Sequence, residues 1–94
     1  MSPGTGLYPE PDREARLERS RAIFLEGIGH FEAGRLEPAR DCFERALSLA
    51  PGRPSLLGNL GITLFHLRRW EDAVPLLRQA VAAEPANAEA WACL

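Results

Sequence analysis

Moved along itself by 34 residues, this chain meets its own pattern again. Ile23 falls on Leu57, Gly27 on Gly61, Ile28 on Ile62 and Phe31 on Phe65. Further on, Leu36 falls on Trp70, Glu37 on Glu71, Ala39 on Ala73, Phe43 on Leu77, Ala46 on Ala80, Leu47 on Val81 and Pro51 on Pro85. A third copy opens before the chain stops, with Leu57 falling on Trp91 and Leu60 on Leu94. A period of this length constrains the fold more than any other feature. Each unit is one supersecondary element that cannot bury its apolar face alone, so successive units must stack.

Within a unit the apolar spacing is helical. Ile23, Gly27 and His30 recur at steps of three and four, with Phe24, Ile28 and Phe31 on the neighbouring stripe. Leu17 extends that second stripe toward the N-terminus, and no breaker interrupts Asp12 to Ala33, so the first helix is expected over that span. Gly34 is placed to end it. Glu37 and Pro38 suit the first turn of a second helix, where a carboxylate complements the helix dipole and proline lacks no needed donor. Ala39, Phe43, Ala46 and Leu47 form that helix's buried stripe, and Pro51 and Gly52 stop it. Pro54 opens the next helix, Trp70 to Asp72 the one after, and Asn87 is placed to cap another. The small residues Gly27, Gly61, Ala39, Ala73, Ala46 and Ala80 mark places where two helices approach closely.

This arrangement resembles the tetratricopeptide repeat. The residues that carry the resemblance are Ile23, Gly27, Phe31, Ala39, Phe43, Ala46 and Pro51 in the first copy. In the second they are Leu57, Leu60, Gly61, Phe65, Ala73, Leu77, Ala80 and Pro85, and Trp91 and Leu94 begin the third. The resemblance implies an all-α, right-handed solenoid of helix pairs, here about two and a half units and about five helices. Residues 12–94 would form the repeat domain, behind a flexible segment at 1–11. Unit one would span about 20–53 with a helical extension from 12, unit two 54–87, and the first helix of unit three 88–94.

Four positions depart from the family pattern. Glu26 stands where the later copies have Leu60 and Leu94, which is tolerable if no unit precedes it. His30 replaces the usual tyrosine and is expected to pack as a flat ring. Arg68 replaces the turn glycine, so the second turn is expected to be less relaxed than the first. Pro75 lies early in its helix and is expected to remove one hydrogen bond and bend or loosen that turn.

The ends and the composition narrow the class. The opening residues, MSPGTGLYPEP, are rich in proline and glycine and show neither a basic region nor an apolar core of a secretory signal. The end, EAWACL, is not the polar cap that closes a repeat array, so a longer protein is expected. A net charge of −2 gives no field that favours nucleic acid or anionic lipid. The basic residues are all arginine, a usage expected of a GC-rich bacterial genome. Cys42 and Cys93 form no C-x-x-C pair and read as thiols in a reducing cytoplasm.

No phosphate loop, nucleophile elbow or H-E-x-x-H motif is present, and His30 and His66 lie on different units. No catalytic residue, cofactor or metal is therefore expected. The family resemblance implies instead a concave face built from the first helix of each pair, which binds a peptide or helix of a partner protein. Carried onto this chain, that groove would hold Arg21, Phe24, Ile28, Phe31 and Glu32, then Ser55, Asn59, Ile62, Phe65 and His66, then Glu89. Its apolar strip could equally be core, or be covered by the chain's own N-terminus or a second copy in a homodimer. Some family members grip a C-terminal carboxylate with cationic side chains. Of that constellation only Asn59 has a counterpart here, so acidic C-terminal peptides are not expected to bind. The alternative function is a substrate-positioning or regulatory appendage of a larger bacterial enzyme such as a transferase.

Overall fold

A computed structural model describes residues 11–83. Among them are four helices: α1 (Pro11–Glu32), α2 (Leu36–Leu49), α3 (Pro54–His66) and α4 (Trp70–Ala83). Helices α1 and α2 form one hairpin, α3 and α4 a second, and α3 lies against α2 to join them. The expected helix at 88–94, the flexible segment before Pro11 and the cap at Asn87 lie outside the described residues. The first helix runs one residue earlier at each end than the expected Asp12 to Ala33, so Asp12 sits inside its first turn with Glu14.

The two intra-unit turns are the same turn, 34 residues apart. After α1, the N–H of Arg35 donates to the His30 carbonyl at 2.8 Å and that of Gly34 to Phe31 at 3.0 Å. After α3, the N–H of Arg69 donates to the Leu64 carbonyl at 2.9 Å and that of Arg68 to Phe65 at 3.0 Å. Both are six-to-one and five-to-two closures around a left-handed residue, which satisfy carbonyls the helix end would leave bare. The left-handed residue is Gly34 with φ +80° in the first turn and Arg68 with φ +65° in the second. The arginine therefore takes a conformation that a Cβ disfavours.

Helix α2 begins behind Arg35 with no side-chain cap, with Glu37 in its first turn, and ends at Ala50, whose N–H returns to Ala46. Helix α3 starts with Pro54 in its first turn, and α4 with Glu71 and Asp72 in its first turn. Pro75 lies inside α4, which runs on unbroken through it to Ala83. The missing N–H leaves the carbonyl of Glu71 without its usual partner.

The core lies between the hairpins. Ala39, Phe43, Leu60, Ile62, Leu64, Ala73, Leu77 and Val81 form one buried cluster. Ile23, Cys42, Ala46, Ala50 and Leu56 form a second beside it. Helix α3 is buried nearly all round, at Leu56, Leu57 and Gly58 and again from Leu60 through Leu64, because α2 and α4 both pack on it. Ala39, Ala46, Ala73 and Ala80 are fully buried, as close helix approach requires. Ser20, buried on α1, donates its hydroxyl to the Ala46 carbonyl of α2 at 2.8 Å. Outside the core, Arg69 reaches Glu37 at 3.0 Å and ties the second turn to the start of α2. That pair is exposed, so its contribution is at most about 1 kcal/mol.

Candidate functional site

The first helices of the two hairpins, α1 and α3, line one groove together, α1 through residues 17–25 and α3 through its first turn. The space between them is a groove of about 420 Å³ lined by Leu17, Glu18, Ser20, Arg21, Phe24, Leu25, Arg53, Ser55 and Leu56. Its apolar side chains are Leu17, Phe24, Leu25 and Leu56. Leu56 is core, Phe24 and Leu17 are half-buried, and Leu25 is 58% exposed. Exposed leucine beside half-buried aromatic surface leaves apolar area in water that a ligand could cover. Arg21, Arg53 and Glu18 supply charge at the same place.

Three of the residues expected from the sequence, Arg21, Phe24 and Ser55, line this groove. The others are distributed differently. Phe24 also turns its ring to Phe43, with centroids 5.8 Å apart, so it serves core and groove together. Ile28 is half-buried and packs on the main core cluster. Ile62 is 6% exposed and belongs to that cluster, leaving little surface for a partner. Phe31, Phe65 and His66 meet at the far end of α1 and α3, where the His66 ring stands edge-on to Phe31 at 5.7 Å and to Phe65 at 5.8 Å. Phe31 and Phe65 lean on the core from there. Asn59 spends its amide donor on the Ser55 carbonyl at 2.7 Å, within its own helix. Glu32 is exposed at the last position of α1. Glu89 lies outside the described residues.

Leu17, Glu18, Ser20, Leu25, Arg53 and Leu56 were not anticipated as groove residues. For Leu25 the repeat itself carries the signal, because it occupies the place that Asn59 holds in the second unit. Arg53 sits in the linker between units, where helical periodicity says nothing about direction. His30, expected to pack as a ring, is half-buried and also accepts a hydrogen bond at Nδ1 from Arg35 Nε at 3.1 Å. Glu26 is exposed. Among the described residues, no helix is long and apolar enough to cross a membrane.

Comparison with known proteins agrees with this architecture. A family profile described as Tetratricopeptide repeat matches residues 30–94. Cellulose synthase operon protein C of Komagataeibacter xylinus is 36% identical over 66 residues, which cover 70% of this chain and 5% of that protein. The tetratricopeptide repeat protein 36 homolog of Drosophila melanogaster is 38% identical over 72 residues, 77% of this chain and 38% of that protein. Tetratricopeptide repeat protein 36 of Mus musculus is 41% identical over 54 residues, 57% of this chain and 27% of that protein. The chain thus spans well under half the length of each of these relatives. Two helical hairpins in one repeated register, with the family profile over most of their length, make this chain a member of the tetratricopeptide repeat family, whose domains generally serve as protein–protein interaction scaffolds.

Proposed function

We propose that this chain is a non-catalytic interaction module that holds an apolar segment of a partner protein in the groove between α1 and α3. The observation that supports this most directly is Leu25, a large apolar side chain left 58% exposed in a groove that Phe24, Arg21 and Arg53 also line. An apolar side chain of the partner would cover Leu17, Phe24 and Leu25, while an acidic neighbour would pair with the two arginines at the edge. Covering apolar area provides about 25 cal/mol per Å² before association costs. The exposed ion pairs would add orientation more than affinity.

A selection of binders from a random peptide library tests this. Apolar peptides with a flanking acidic residue are expected, bound in the micromolar range and lost on Leu25→Glu, which alters an exposed side chain and leaves the core untouched. Binders insensitive to both Leu25→Glu and Arg53→Glu would overturn the groove assignment. Sedimentation of the chain alone distinguishes the homodimer reading, in which a second copy occupies the same surface and Leu25→Glu would dissociate it.

A second reading has one observation in its favour. The chain's likeness to part of a protein named for a cellulose synthase operon fits a repeat segment that serves as an appendage of a larger enzyme system. In that case the groove's occupant would be a segment of the enzyme's own machinery.

A further inference from the structure

Away from the groove, α1 and α2 bring together three side chains of the types that bind metal. The carboxylate of Glu26, an imidazole nitrogen of His30 and the thiol sulfur of Cys42 all lie within 4.8 Å of one another. Glu26 and His30 are four residues apart and so share one face of α1. Cys42 comes from α2, buried to 5% exposure at the seam between the helices.

The second unit gives the comparison. Shifted by one repeat, Glu26, His30 and Cys42 fall on Leu60, Leu64 and Leu76. There Leu60 and Leu64 are 4% and 5% exposed, and Leu76 is half-buried against the same core cluster. The fold therefore needs only three leucines at this helix–helix contact. Unit one replaces all three, and each replacement is a metal-ligand type. Exposure accounts for a polar residue at Glu26, but not for a thiol and an imidazole beside it.

We propose that Glu26, His30 and Cys42 form a three-ligand site for a divalent ion of the zinc class. Thiolate, imidazole and carboxylate together match a borderline-soft ion in tetrahedral coordination, with a fourth position open to water or to a donor from a partner. Tetrahedral ligands around zinc stand about 3.5 Å apart. The three donor atoms already lie no more than 4.8 Å apart, and Glu26 is exposed and so free to adjust. Burial pushes the Cys42 thiol up from its ordinary pKa, with Glu26 and Asp41 adding to this against Arg45. The same two carboxylates that disfavour a thiolate favour a cation next to it. Arg35 now donates to His30 Nδ1, so an ion taking that ring nitrogen must displace this surface hydrogen bond. On binding, the thiol proton is released to solvent and the sulfur takes the metal as its counter-charge.

The test is a cobalt titration of the full chain carrying Cys93→Ala, which leaves Cys42 as its one thiol. Saturation at one ion per chain is expected, with a near-ultraviolet thiolate-to-cobalt charge-transfer band and the strong visible absorption of four-coordinate cobalt. Zinc should displace the cobalt and raise the melting temperature. Cys42→Leu and His30→Leu should abolish the band, and Glu26→Leu should weaken binding at least tenfold. Leucine is the residue of the second unit at each place, so the helical circular dichroism should persist. Cys42→Ser, closer in size, makes the same test of the sulfur. The absence of a saturable band in the parent chain, or a band that survives Cys42→Ser or Cys42→Leu, would overturn the site.

Discussion

Gly27 lies so close to the ring of Phe43 that a methyl group on it would stand 2.6 Å from Cε1. One repeat later, a methyl group on Gly61 would stand 2.8 Å from Cγ and Cδ2 of Leu77 and 3.3 Å from the Leu77 backbone nitrogen. In each hairpin the first helix presents bare backbone to the largest buried side chain of the second. This closeness sets the separation of α1 from α2 and of α3 from α4. Gly27→Ala and Gly61→Ala should each destabilise the chain by about 1–3 kcal/mol through overpacking. Gly29 faces open space, and Gly29→Ala should instead stabilise by about 0.5–1 kcal/mol through helix propensity. Denaturant midpoints of the three variants, read at constant slope, would show the opposite signs.

Arg68 holds φ +65° where the equivalent turn has Gly34. The left-handed conformation costs a residue with a Cβ roughly 1–2 kcal/mol. Glycine removes that cost but gains about 0.4–1 kcal/mol of freedom in the unfolded chain. Arg68→Gly should therefore stabilise by about 0.5–1 kcal/mol, and Gly34→Arg should destabilise by a similar amount. Thermal melts of the two variants give the comparison.

Pro75 interrupts the hydrogen-bond ladder of α4 while the helix continues to Ala83. Its side chain is exposed, so no core contact is lost on truncation. Pro75→Ala restores a donor to the Glu71 carbonyl and should stabilise by about 1–3 kcal/mol. Amide exchange at residue 75 in the variant should be slow if that bond forms.

Ser20 is buried and its hydroxyl spans from α1 to the carbonyl of Ala46. The same carbonyl also accepts from the Ala50 N–H at 3.0 Å, so removing the hydroxyl does not strand it. Ser20→Ala should cost about 0.5–1.5 kcal/mol, the net worth of one hydrogen bond. A loss of several kcal/mol in chemical denaturation would mean that Ser20 fixes the helix pair in some further way.

Much of the fold is legible in the order of residues because its determinants are local or periodic. Gly34, the Glu37–Pro38 pair, Pro54 and the acidic residues after Trp70 punctuate the helices through backbone conformation and the helix dipole, and the helices begin and end beside them. The 34-residue register then pairs Gly27 with Gly61 and Phe43 with Leu77 before any coordinates are known. Helical spacing also identifies the stripe of Phe24, Ile28, Phe31, Ile62 and Phe65, but not which of its members face water. Only the packing of the second hairpin on the first decides that Ile62 is core, that Phe31 and Phe65 gather around His66, and that Leu25 and Arg53 border the groove with Phe24. The meeting of Glu26, His30 and Cys42 belongs to the same class of fact. Glu26 and His30 are one helical turn apart, whereas Cys42 reaches them across a turn, and that distance is set by how closely Gly27 lets α2 approach.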